Sequence, residues 1–369
     1  MKDPGALPQG STPCIFDLPD RILVVRLSAM GDVIHGMPAI AALRRAKPDL
    51  EVGWLIEQRW SALLCSRETE RMAPRSPLKP LADSVHLANF SNWRRDLASL
   101  ETWREMRASV GEVRAMRYEL TLDLQGAIRS ALAARAAGTR VRVGSSQPRE
   151  APASMFYTRA VDPAGSHVVE QALSIASAVA GQPLEYADPP FPLDPVHEAW
   201  ADEFVAKLDS KPFAILNPGA GWSAKCWPAE SFGMVARALA ERGLAVVVNH
   251  GPGEEQLADA VCESSGGIAV PLKCSVGELI VLTRRAGLFI GGDTGPMHLA
   301  AALRVPVVAL FGPTRPERNG PFATRSVVLR SPDSVDDSSH INRPDEGLTS
   351  IAPQSVIAAA DQLLGGRGA

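Results

Sequence analysis

The chain has 369 residues, of which 46% are hydrophobic and 21% charged; this suits two soluble globular domains better than one core. Five scattered cysteines (Cys14, Cys65, Cys226, Cys262 and Cys274) with no C-x-x-C pair argue for a reducing compartment and against a disulfide scaffold or zinc site. The net charge of −3 and 5% aromatic content disfavour a nucleic-acid binder, and no stretch approaches the ~20 apolar residues of a membrane span.

Residues 1–20 carry three prolines before position 15 and no signal-type apolar run, so a flexible tail is expected. Strands are then predicted at 22–27, 52–56, 84–87, 118–124 and 141–143, with helices at 38–46, 93–116, 127–137 and 168–180. Pro38 lacks an N–H and fits a first turn or a kink. Residues 182–197 are proline-rich and aperiodic and read as a linker, which makes 21–181 the first domain. A second series follows within 198–348. Its strands are 213–217, 244–249, 268–270, 288–290, 305–311 and 327–329, and its helices 228–242, 253–263, 275–285 and 296–303. Residues 331–347 read as a polar surface loop, and a last helix lies within 349–369. This alternation predicts an α/β protein with two parallel sheets, each binding ligands at the carboxyl ends of its strands, toward a cleft between the domains.

Two runs suit the anionic part of a ligand. Ser28-Ala29-Met30-Gly31-Asp32-Val33-Ile34-His35 and Gly291-Gly292-Asp293-Thr294-Gly295-Pro296-Met297-His298 each follow an apolar strand and open a helix. Such turns aim backbone N–H groups and a helix dipole at one spot. An Asp beside an anion needs other work, such as taking a proton or gripping a sugar hydroxyl. Asp32 is equally a first-turn helix acid, and His35 a weaker base candidate or a packing residue. At Asp293 the flanking glycines favour an anion site.

The run from Gly219 to Lys225 has the outline of a P-loop but fails, with Ala224 and Cys226 where glycine and Ser or Thr belong. Lys225 is still placed to neutralise a diphosphate. Glu254 or Glu255, after the strand ending at Asn249, can hold ribose hydroxyls or serve as first-turn acids. There is no Asp-x-Asp pair for a metal, no His/Cys ligand spacing and no Ser-His-Asp set. Leaving-group stabilisation by Lys225 and helix N-termini is expected instead. The segment 20–181 carries 22 Lys and Arg against 17 Asp and Glu, and the rest 16 against 24, so the first domain suits an anionic partner.

The motifs at 28–35, Asp123-Leu124-Gln125-Gly126 with Arg129-Ser130, Asn217-Pro218-Gly219 with Lys225 and Trp227-Pro228, 291–299 and Phe311-Gly312-Pro313-Thr314 together resemble glycosyltransferase family 9, the bacterial heptosyltransferases. The resemblance implies a GT-B fold of two Rossmann-like domains, with the last helix packing back on the first. It implies inverting, metal-free transfer of heptose from ADP-heptose to a Kdo-lipid A type acceptor, with no cofactor beyond that co-substrate. Asp32 would be the general base. The donor would meet Gly31, Asn217, Gly219, Lys225, Glu254 or Glu255, Asp293 for the heptose, Thr294 and Gly295 at the phosphates, and His298. Arg94, Arg95, Gln125, Arg129 and Arg149 are the acceptor candidates. The segment 66–82 departs from the family pattern and stands to reshape the acceptor site. A cytoplasmic monomer, peripheral on the inner membrane, is expected. Another nucleotide-sugar glycosyltransferase of the same fold, a nucleotide-sugar epimerase and a non-catalytic nucleotide-sugar binder are the alternatives.

Overall fold

The computed structural model describes residues 18–334, 336 and 345–365, so most of the expected tail and part of the 331–347 loop lie outside the described residues. The chain divides into two compact units, Met1–Leu193 and Asp194–Ala369. The expected linker ends earlier than its composition suggests. Asp194 accepts a hydrogen bond from Val196 N (3.0 Å) and, with Pro195 in the first turn, starts a helix inside it.

The first unit holds strands β1 (Arg21–Val25), β2 (Glu51–Glu57), β3 (Ser84–Ala88), β4 (Leu120–Asp123), β5 (Val141–Ser145) and β6 (Arg159–Val161). Its helices are α1 (Met30–Ala46), α2 (Phe90–Trp93), α3 (Leu100–Ala115), α4 (Ile128–Ala136) and α5 (Val168–Ala180). The second unit holds β7 (Phe213–Asn217), β8 (Ala245–Asn249), β9 (Val270–Leu272), β10 (Leu288–Gly292), β11 (Val307–Phe311) and β12 (Ser326–Arg330). Its helices are α6 (Pro195–Ala206), α7 (Ala229–Glu241), α8 (Glu255–Ser264), α9 (Val276–Arg285), α10 (Gly295–Ala302), α11 (Pro316–Asn319), α12 (Glu346–Thr349) and α13 (Pro353–Gly365).

Among the described residues each unit forms one six-stranded parallel sheet, ordered β3-β2-β1-β4-β5-β6 and β12-β11-β10-β7-β8-β9. The strand order reverses beside β1 and β4 in one sheet and beside β7 and β10 in the other. A doubly wound sheet opens a ligand crevice at such a point. Burial on both faces explains the near-continuous apolar strands. In β7, Ala214 and Leu216 enter the core beneath α7 and α8, while Phe213 and Ile215 enter the opposite one.

Several expected elements are redrawn. Helix α1 starts at Met30, eight residues early, and carries Pro38 in its interior because almost every residue from Met30 to Arg44 is buried. The predicted helix 93–116 is divided into α2 and α3, since the Ser99 side chain accepts from Glu101 N (3.2 Å) and caps a fresh start. Strand β6, three residues long, is too short to show a period.

The segment 66–82 is anchored by two cations. Buried Lys79 donates to the carbonyls of Arg71, Ala73 and Asp83. Arg71 forks onto Glu112 of α3 (3.0 and 3.2 Å), which also meets buried His86 at 2.7 Å. His86 and Arg71 together draw the Glu112 carboxyl down to about 2 against the effect of burial. These anchors lie toward the amino end of β3.

The last helix also departs from expectation. Val356, Ala359, Ala360 and Leu363 of α13 belong to the core of the second unit, with Leu216, Val248 and Leu310. Trp227 Nε1 donates to Ile351 O (3.1 Å) and fixes its approach. The apolar face of α13 matches that core, whereas the resemblance had placed it on the first domain. Leu363→Ala should therefore destabilise the second unit by about 2–4 kcal/mol. Urea unfolding with and without ADP checks this; an unchanged midpoint would contradict the packing.

Candidate active site

In the first unit the site is built where β1 and β4 end. Asp32 occupies the third position of α1, where its Oδ2 accepts from Ala29 N (3.1 Å). The first-turn role is thus real, and it leaves the side chain 34% exposed. Arg26, just beyond β1, holds the carboxylate from behind. Its Nη2 donates to Asp32 Oδ1 (3.0 Å), its Nε to Asp32 O (2.8 Å), and its Nη1 to Leu124 O at the end of β4. Arg149 approaches Asp32 Oδ2 at 4.0 Å from solvent. Arg26 was not foreseen; a guanidinium closing an otherwise apolar strand was the available signal. His35 lies buried one turn on, edge-to-face with His167 (5.6 Å between ring centres), and serves the packing of α1 on α5.

The β4 end is organised by buried Asp123. It accepts from Gln125 N (2.8 Å), Gly126 N (3.2 Å), Ser130 Oγ (2.9 Å) and Tyr157 OH (2.9 Å). Burial raises its pKa while these bonds oppose the rise. Gly126 turns the chain at φ +67°, where a Cβ would also press on Arg149 N and Pro148. Gln125 is thereby locked: its Oε1 accepts from Leu27 N (2.7 Å), and its Nε2 is buried without a partner. Arg129 donates to Ser28 Oγ (2.8 Å). Gln125, Ile128, Arg129, Leu132, Arg149 and Glu150 line a pocket of about 450 Å³. Three of the five acceptor candidates thus share one pocket. Arg94 and Arg95 do not line it; they are exposed beyond α2.

In the second unit the site lies where β7, β8 and β10 end. Lys225 Nζ donates to Asp293 Oδ2 (2.6 Å) and O (3.2 Å), and His298 Nε2 meets Asp293 Oδ1 at 3.0 Å. Burial alone would raise the Asp293 carboxyl, but His298 and Lys225 outweigh it and hold the group well below the ordinary carboxylate range. Thr294 makes no side-chain cap; its Oγ1 turns back to Gly292 O (3.3 Å), so the first-turn amides of α10 are left uncapped.

Asn217 joins the parts, donating from Nδ2 to Gly219 O (2.9 Å) and, at 3.5 Å, to Thr294 Oγ1. Asn249 donates to Asn217 Oδ1 (2.6 Å); spacing gave no sign of that amide pair. The Cys274 thiol, pushed up to about 12 by burial, donates to Asn249 Oδ1. The two glutamates separate. Glu254 accepts from Gly251 N (2.7 Å) and lies against Gly219, where any Cβ would strike its carboxylate. Glu255 turns outward to Lys273 (3.1 Å). The Ser223 hydroxyl in the loop after β7 and the Thr314 hydroxyl in the loop after β11 are buried without a partner.

A carboxylate with a depressed pKa contributes stability above its unfolded value, and that contribution is lost as pH falls through the folded one. Asp293→Asn should flatten the acid limb of the stability profile. Lys225→Met leaves His298 alone on a buried carboxylate, so unfolding should move to higher pH, with roughly 1–3 kcal/mol lost at neutrality. Urea titrations from about pH 3 to 7 read both; coincident profiles would contradict the pairing.

Comparison with known proteins identifies the family. Residues 106–346 match glycosyltransferase family 9 (heptosyltransferase). The chain is 29% identical over 315 residues to lipopolysaccharide heptosyltransferase 1 of Pseudomonas aeruginosa, covering 84% of each protein. Its fold matches Escherichia coli heptosyltransferase WaaC with ADP at TM-score 0.72 and 24% identity, over 93% of this chain and 99% of that one. WaaC with ADP-2-deoxy-2-fluoro heptose matches at TM-score 0.69 and 25% identity, over 94% and 100%. Two Rossmann-like units of the GT-B class and a family match spanning most of the chain place this protein in glycosyltransferase family 9, the heptosyltransferases.

Proposed function

We propose that this heptosyltransferase moves heptose from ADP-heptose to a Kdo-lipid A type acceptor in lipopolysaccharide inner-core synthesis, with inversion and without a metal. The observation that carries the reading is Asp32, a half-exposed carboxylate at the end of β1, oriented by Arg26 beside an arginine-bearing pocket. The names of the relatives support the direction: one is a lipopolysaccharide heptosyltransferase 1, and WaaC is described with ADP and with an ADP-heptose analogue.

The chain's residues account for each step. Gln125 Nε2, Arg129 and Arg149 bind the acidic acceptor sugar. Asp32 takes the proton of the acceptor hydroxyl as its oxygen attacks the anomeric carbon. The bond from that carbon to the diphosphate breaks on the opposite face, and ADP leaves. Lys225 and the uncapped amides of α10, around Thr294 and Gly295, stabilise the charge that develops on it. Asp293 keeps lone pairs free for heptose hydroxyls while Lys225 and His298 hold it in place. Glu254 takes the ribose, and Glu255 is a surface acid. The enzyme acts as a monomer in the cytoplasm, peripheral on the inner membrane, with no cofactor.

The test is ADP release from ADP-heptose by the purified protein, with and without Kdo-lipid A and with a chelator. Release that needs the acceptor and survives the chelator is expected. Donor conversion without acceptor would favour an epimerase, and an intact bound donor a binder. Asp32→Asn should lower turnover by about 10²–10⁴-fold and still bind ADP; near-normal transfer would overturn its role as base. Glu254→Gln should weaken ADP binding about tenfold and Glu255→Gln leave it unchanged, and calorimetry would expose the reverse.

A further inference from the structure

The loop after α2 and the first turn of α3 form a surface that neither substrate site uses. Leu97, Leu100 and Trp103 are 55%, 75% and 50% exposed. Leu100 and Trp103 lie three apart on one helix face, and Trp103 Nε1 donates to Leu97 O (2.9 Å), gathering all three into one apolar patch. The patch is firmly mounted: Trp93 and Thr102 beneath it are buried, and Ser99 caps α3.

Arginines flank the patch on both sides, with Arg94 and Arg95 before it and Arg104 and Arg107 after it, all exposed. Of the neighbouring acids, Asp96 is exposed between Arg95 and Leu97, Glu101 faces Arg104 (3.6 Å) and Glu105 accepts from Trp93 Nε1 (2.8 Å), so the four arginines still outnumber the three acids. Arg94, Arg95 and Arg107 have no carboxylate partner among the described residues. An aromatic ring with a polar edge, two leucines and unpaired guanidinium groups together match the acyl–headgroup boundary of an anionic bilayer. No described helix is long and apolar enough to cross a membrane, so attachment through these elements is to the surface. Helix α2 follows the carboxyl end of β3, on the same rim of the sheet as Asp32 and the Gln125 pocket.

We propose that residues 94–107 are a docking surface for an anionic phospholipid bilayer. Docking there sets the carboxyl-end rim of the first unit toward the lipid. Its purpose rests on the glycolipid-acceptor reading, but the vesicle-binding test that decides it does not use that acceptor. The full chain is sedimented with vesicles of phosphatidylcholine alone or with about one third phosphatidylglycerol. Binding to the anionic vesicles only, weakening with salt, is expected. Leu100→Ser/Trp103→Ser should reduce it at least about tenfold, and Arg94→Glu/Arg95→Glu by a similar factor. Met155→Ser, an equally exposed apolar residue elsewhere, should leave binding unchanged.

Wild-type protein that ignores anionic vesicles overturns the proposal, as does a Leu100/Trp103 variant that binds them normally. If the wild type ignores vesicles and the variant instead dissolves a dimer, the patch belongs to a second copy of the chain. With a deacylated, soluble acceptor the Leu100/Trp103 variant should retain the wild-type rate and slow only when the acceptor sits in vesicles. Vesicle binding without any sugar transfer would leave the docking surface standing and overturn the acceptor reading alone.

Discussion

The constraint on which the rest depends is the parallel sheet. When every strand runs the same way, all the turns that follow strands gather on one rim, and the order β3-β2-β1-β4-β5-β6 opens that rim beside β1 and β4. Chain-distant residues then become neighbours at no further structural expense. Arg26 after β1 reaches Leu124 after β4, and Gln125 returns the contact at Leu27 N. The second unit repeats the device, with Asn217 after β7 meeting Thr294 after β10. A turn that fails to form on either side releases both motifs of its unit, which is why buried Asp123 and the Asn217–Asn249 pair matter.

The two motif carboxylates look alike in sequence and are opposite in setting. Asp32 is half-exposed and keeps one oxygen near solvent, with Arg26 behind it. Asp293 is buried, and each of its oxygens is served, one by His298 and the other by Lys225. A group that must gain and release a proton each cycle needs access and room to change charge. A group that must stay charged and orient a sugar needs compensation from fixed partners. On the proposed roles, the division of labour follows from burial and pairing more than from residue type.

Much of the layout was legible, for reasons visible in particular elements. Strand β7 matches its predicted range, being a short β-rich run between turn residues, and α5 matches because Gly181 ends it at φ +68°. The start of α1 was not legible: Gly31, Gly36 and Pro38 depress helix propensity, and burial on nearly all sides removes the amphipathic period. Within the sites, spacing could bring Glu254 and Glu255 to the end of β8 but could not say which turns inward; only the bare backbone of Gly219 makes room for one of them. The seat of α13 came from family likeness, and packing overrode it.

The basic excess of the first domain is also clearer in three dimensions. Many of its cations are spent internally: Arg44 on Leu50 O and Asp83, Arg142 on Phe156 O and Thr139 O, Arg71 on Val85 O and Glu112, and Lys79 on three carbonyls. Such groups help hold the fold and offer little to a ligand. The cations that remain include Arg129 and Arg149 at the pocket and Arg94, Arg95 and Arg107 around the apolar patch, with exposed Arg117, Arg135 and Arg140 elsewhere on the unit. The glycolipid acceptor proposed above would carry two kinds of negative group at two depths, the acids of its sugar and the phosphates at the bilayer surface. Separate clusters on one rim can meet both at once, and neither has to reach across the distance between them.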